Sequence, residues 1–148
     1  EHGFVGKIVQ MIADAGFEIL ARRELTRDEV AYGAPRSRGG NWGPGPGDHQ
    51  GGDPAILVLA FDPAPLSPSR KQRRRHPLLV NGRVQVKDQI RDALNQSLPE
   101  GAKINALHSS DYPAEAQHLL EVFAPELLEL VDQRIRASQP FNAARAAA

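Results

Sequence analysis

Residues Ile56–Phe61 read ILVLAF, six apolar side chains in a row, with Pro54 shortly before them and Pro63 shortly after. A run of this length without a polar interruption fits a strand better than a surface helix, and it predicts a central strand covered on both faces. Upstream, in GFEILARREL (residues 16–25), Phe17, Ile19 and Ala21 alternate with Glu18 and Arg22, the period of a strand with one face to a core. Before that, Val5, Ile8, Val9 and Ile12 recur at helical spacing and Gly16 supplies a stop, which predicts a helix over 3–15. Thr26 with Glu29 three places on forms a capping-box pattern that opens a short helical turn over 26–32. Gly and Pro dominate residues 34–54, APRSRGGNWGPGPGDHQGGDP. Such a stretch has too little apolar surface to offset its ordering entropy, so it is expected to be a flexible loop, cut first by protease because it has no apolar anchor apart from Trp42.

Downstream of ILVLAF, residues 62–77 are irregular in pattern and carry Arg70, Lys71, Arg73, Arg74 and Arg75. No aromatic side chain interleaves with these charges as base stacking needs, so they predict a solvated basic loop and no nucleic-acid partner. Val86, Ile90, Ala93 and Leu94 form the apolar stripe of a helix within 84–98, ended by Pro99 and Gly101. Residues 104–107, INAL, read as a short strand. Ala116, Leu119, Leu120 and Phe123 mark a helix with a buried face, Pro125 breaks it, and Leu127, Leu130, Val131 and Ile135 mark a last helix. The domain is expected over 1–137, with residues 138–148 as a frayed tail. The order helix, strand, strand, helix, strand, helix, helix predicts an α+β fold with helices on one face of an antiparallel sheet.

Composition narrows the function classes. The chain has 148 residues, 41% of them apolar, enough for one domain with a modest core. Lys plus Arg equals Asp plus Glu at 18 each, so no global field draws it to nucleic acid or to a membrane. Without cysteine there is no disulfide, thiolate nucleophile or cysteine metal site, which fits a cytoplasmic setting. No apolar run reaches the roughly 18 residues of a membrane span and no signal-like region opens the chain, so a soluble protein is expected. The chain begins at Glu1 without methionine, as a piece of a larger protein would. His2, His49, His76 and His118 are scattered without metal-ligand spacing, and no metal site is assigned.

The chemistry-bearing segment is residues 104–113, INALHSSDYP. His108 follows the apolar run, Ser110 and Asp111 offer oxygens to cap a helix, and Pro113 suits a first helical turn. A strand-to-helix junction lies at the edge of a scaffold, and the bare amides of a helix start favour an anion. Read from spacing alone, His108 is either such a site residue or a turn histidine bonded to its own backbone.

Here the sequence resembles the nucleoside diphosphate kinases. Residues 1–25 look like that family's first helix and second strand, ILVLAF falls where its central strand lies, and 104–127 look like its active-site segment. The family's motif is Asn, two apolar residues, the phosphate-accepting His, Gly or Ser, Ser and Asp; Asn105, His108, Ser110 and Asp111 match it position by position. The resemblance covers about two thirds of the chain and implies a ferredoxin-like sandwich. It implies that a neutral His108 attacks the γ-phosphorus of a nucleoside triphosphate and passes the phosphoryl group to a diphosphate. It further implies that Asn105 bonds nucleotide hydroxyls, that Ser110 and Asp111 support the site, and that magnesium accompanies the nucleotide.

Departures from the family pattern turn the expectation away from turnover. The family's first strand, with its lysine, has no counterpart here, and the Gly/Pro stretch around Trp42 stands where its base-stacking aromatic lies. Arg91 stands for the first arginine, Lys103 is the only cation near the second, and Ser97 loosely replaces a threonine. Leu119 occupies the place of the glutamate that orients the histidine. Each missing donor typically costs a factor of ~100 in such sites, so a degenerate nucleotide- or phosphate-binding or regulatory module is expected. The alternatives are an active kinase completed by residues outside the chain, and a ligand-free domain pairing with other domains or subunits through a free sheet edge.

Overall fold

The computed structural model describes residues 3–37, 53–99 and 102–138. Among them lie six α-helices and a two-stranded antiparallel sheet, an α+β arrangement. Helix α1 (Gly3–Asp14) ends as its glycine predicts: Gly16 takes φ +86°, Phe17 N–H returns to Ile12 O at 3.3 Å and Gly16 N–H to Ala13 O at 2.8 Å. The chain then enters β1 (Glu18–Glu24), which pairs with β2 (Ile56–Phe61) from Glu18↔Phe61 to Glu24↔Ile56. The register slips between Ile19 and Ala21, leaving Leu20 as the extra residue of a bulge. Helix α2 (Arg27–Gly33) opens on the expected capping box, with Thr26 Oγ1 accepting from Glu29 N–H and Glu29 Oε2 from Thr26 N–H. Ala34–Arg36 continue as a 3-10 turn. The rest of the expected Gly/Pro loop, with Trp42, lies outside the described residues except for 37, 53 and 54.

The core is built from α1 and α4 (Val86–Asn95): Ile8 and Ile12 meet Ile90 and Leu94, the last two fully buried, and Ile19, Val58 and Ala60 pack on them from one face of the sheet. The other face is engaged elsewhere. Arg23, cross-strand from Leu57, donates to Phe123 O and pairs with Glu29 and Glu126. That arginine ties β1 to the end of α5 (Pro113–Phe123), which packs on α2 through Phe123 against Gly33. Pro125 does break the helix, and α6 (Leu128–Ser138) follows. Within α6, Arg134 returns to Glu18 and over the Phe61 ring.

Three sequence expectations need correction. ILVLAF is a strand, but every residue of it is only half-buried and among the described residues it pairs with β1 alone, on one edge, instead of standing covered at the centre of a sheet. Residues 104–107 form no third strand. Ile104 makes only an isolated bridge, and side chains of α4 take three of the segment's backbone groups: Asn95 Oδ1 accepts from Ile104 N–H at 2.8 Å, Asn95 Nδ2 donates to Ile104 O at 3.0 Å, and Arg91 donates to Leu107 O. Finally, the basic segment is not wholly irregular. Arg70–Arg75 form helix α3, opened by a Ser69–Gln72 capping box.

Candidate functional site

A cavity of about 400 Å³ lies beside β2. All of Ile56, Leu57, Val58, Leu59 and Ala60 line it, residues of both faces, whereas β1 contributes none of its own residues. The void therefore runs along the edge of β2 that faces away from β1. Ile12, Phe17 and Val86 close one side with apolar surface, and Leu119, Leu120 and Phe123 of α5 another.

Against this apolar lining stands one polar wall, made by Lys87 and Arg91 of α4, residues 108–111 and Glu115. Lys87 and Arg91 are one helical turn apart and so share a face of α4. Lys87 Nζ donates to Asp111 Oδ1 at 2.8 Å, with the two side chains only 9% and 11% exposed. Glu115, also buried, accepts from Asp111 N–H through Oε2 at 2.7 Å. This bond shows why the expected cap is not formed by Ser110 or Asp111. Tyr112 is the N-cap residue and makes no side-chain cap bond, Asp111 is drawn to Lys87, and Glu115 reaches back from the first turn instead. Pro113 occupies the first turn as expected.

His108 is half-buried on this wall. Burial pushes its imidazole below the ordinary 6.5, and the positive charges of Arg91 and Lys87 push it further the same way. The ring is thus held in its neutral form near neutral pH, the form in which it can accept a proton or attack an electrophile. Arg91 is itself committed: Nε donates to Leu107 O at 2.8 Å, Nη2 donates to the same carbonyl, and Nη1 lies 3.5 Å from Asp88. Ser109 Oγ is buried with no hydrogen-bond partner among the described residues.

Of the residues singled out in the sequence, the cavity brings together His108, Arg91, Ser110 and Asp111. Asn105 does not line it and leaves Oδ1 buried without a partner among the described residues; Lys103 does not line it either. Ser97 donates to Leu94 O at 2.7 Å. His118 is exposed beside Arg36 O, and His76 caps the end of α3. Lys87, Glu115 and Ser109 were missed. Lys87 was legible as the residue one turn before Arg91 on the stripe of Ile90 and Leu94, and Glu115 as an acid in a helix's first turn.

Fold and site together define an α+β domain with a buried, charge-paired wall facing an apolar cavity at a strand edge. Comparison of the chain with protein-family models, with curated proteins and with solved structures gives no match. Among the described residues no helix is long and apolar enough to cross a membrane.

Proposed function

We propose that this chain is a nucleoside-diphosphate-kinase-like domain, with the ferredoxin-like sandwich that the resemblance implies, acting as a nucleotide- or phosphate-binding or regulatory module with little turnover. The observation that carries the reading is the place of His108, half-buried on one cavity wall with Ser109, Ser110, Arg91 and Lys87, where burial and the two cations disfavour its charged form. Hydroxyls and two cations beside a neutral imidazole suit the oxygens of a phosphoryl group. What argues against turnover is that both cations are already engaged, Lys87 by Asp111 and Arg91 by Leu107 O and Asp88. Stabilising the transferred phosphoryl group would require breaking those contacts, whereas efficient phosphoryl transfer depends on charges preset for it.

Magnesium fits this site only as a companion of the nucleotide. Asp111 and Glu115 are occupied by Lys87 and by the Asp111 amide, and no group of three or more His, Cys, Asp or Glu side chains among the described residues could hold a metal ion. The ion would be carried by the phosphates.

The deciding experiment is incubation with magnesium and γ-labelled nucleoside triphosphate. Little acid-labile phosphate on the protein is expected, together with a small rise in melting temperature, since a ligand that binds only the folded state stabilises it. His108→Ala should diminish that rise and leave the fold intact. Stoichiometric phosphohistidine that vanishes in His108→Ala, with transfer to diphosphates, would establish an active kinase. A chain that folds but shifts with no nucleotide would point to the ligand-free interaction domain, which the edge of β2 without a strand partner among the described residues favours.

A further inference from the structure

Residues 62–82 form a lobe stitched by its own hydrogen bonds. Gly82 N–H donates to Leu66 O at 2.7 Å, Leu66 N–H to Asn81 Oδ1 at 3.1 Å, and Gln72 Nε2 to Gly82 O at 2.9 Å. The last bond turns Gln72 of α3 inward. At about 100° per residue, Arg70, Lys71, Arg73, Arg74 and Arg75 then occupy the outward arc of the helix, centred near Arg74. All five are exposed, and none forms an ion pair within the described residues. Because the whole chain has zero net charge, the rest of it carries five more acidic than basic side chains. The positive field is therefore concentrated on this lobe. Within the same residues 62–82, Leu66, Leu78 and Val80 are 61%, 53% and 55% exposed, while Leu79 between the last two is 4% exposed and belongs to the core.

Unpaired cations and exposed aliphatic side chains on one small lobe select a partner that offers both anions and apolar groups. We infer that this lobe docks an acidic polypeptide segment bearing apolar side chains, its carboxylates on the outward arc of α3 and its apolar residues against Leu66, Leu78 and Val80. A bilayer is the poorer fit. An interfacial helix buries an apolar face of its own, and α3, RKQRRR, has none. Single-stranded nucleic acid is poorer too, because residues 62–82 hold no Phe after Phe61 and no Tyr or Trp on which bases could stack, and the three aliphatic side chains would be left facing water. None of residues 62–82 lines the His108 cavity, and Val80 N–H, donating to Asp111 O at 3.2 Å, links the two.

The test is fluorescence anisotropy of the full chain with a labelled peptide of interspersed glutamate and leucine, its glutamate–serine counterpart, random duplex DNA, and phosphatidylserine vesicles as competitor. The Glu/Leu peptide should bind in a salt-sensitive manner and the Glu/Ser peptide about tenfold more weakly. Arg73→Gln/Arg74→Gln/Arg75→Gln should weaken binding about tenfold, as expected for three exposed ion pairs. Leu66→Ser/Leu78→Ser/Val80→Ser should weaken it by a similar factor, with the far-ultraviolet circular dichroism of both variants unchanged. Equal binding of the two peptides, full binding by either triple variant, or tighter binding of DNA or of vesicles than of the Glu/Leu peptide would each overturn the assignment.

Discussion

At the scale of single residues, the polar wall owes its form to two costs that oppose each other. Burying Lys87 or Asp111 alone strands a charge in apolar surroundings; burying them 2.8 Å apart leaves each with a partner. Breaking the pair from one side should therefore be severe. Lys87→Ala or Asp111→Ala is expected to lower stability by about 3 to 5 kcal/mol, whereas Lys87→Met/Asp111→Leu should recover most of the loss; urea unfolding of the three variants measures this, and a mild effect of both single changes would contradict a buried pair. His108 gives a pH signature with a definite sign. Its folded pKa lies below the unfolded 6.5, so the unfolded chain takes up the proton first and stability falls as pH drops below 6.5 toward the folded value. Above 6.5 the group contributes no further change. An NMR titration should place the His108 midpoint below 6.5 and find it moved upward by Arg91→Gln, though not fully restored, because burial is the larger cause.

At the scale of elements, the helices α1, α2 and α4 and both strands were legible because their signals are local: apolar spacing, the Thr26–Glu29 box and the glycine at position 16. Helix α3 carried the same kind of signal, Ser69 three residues before Gln72, but its apolar stripe is absent and the charge run drew the reading to a loop. Residues 104–107 failed for a different reason. Their pattern is that of a strand, yet whether a strand forms depends on a neighbouring backbone, and here pairing stops at an isolated bridge at Ile104 while Asn95 and Arg91 side chains bond Ile104 and Leu107, a fact no local pattern contains. The site was half legible in the same way: the segment around His108 showed in the sequence, while the partners that tune it come from α4. Two substitutions probe element packing. A Cβ at Gly33 would lie 2.2 Å from Phe123 Cε1, so Gly33→Ala should push α2 from α5 and cost about 1 to 3 kcal/mol. Ile90→Ala, at a fully buried position between α1 and the sheet, should cost about 2 to 5 kcal/mol. Denaturant midpoints report both, and a Gly33→Ala chain as stable as its parent would show that the α2–α5 contact yields easily.

At the scale of the whole molecule, the uneven distribution of charge and of strand pairing matters more than the totals. A chain neutral overall carries five of its 18 Lys and Arg side chains on the single short helix α3, and an apolar cavity lies at the edge of β2. The edge of β2 that faces this cavity has a consequence for behaviour in concentrated solution. Residues Ile56–Phe61 combine six apolar side chains with no charge and no proline, the composition of segments that stack into cross-β fibrils, and one row of their backbone groups has no strand partner among the described residues. Charged gatekeepers, the usual protection of such an edge, are missing from the segment itself. The chain should therefore self-associate as its concentration rises, with growing thioflavin fluorescence, and Leu57→Lys should slow that growth while the monomer keeps its circular dichroism. Occupying the cavity beside the strand would then protect the protein against its own copies as well as serving whatever binds there.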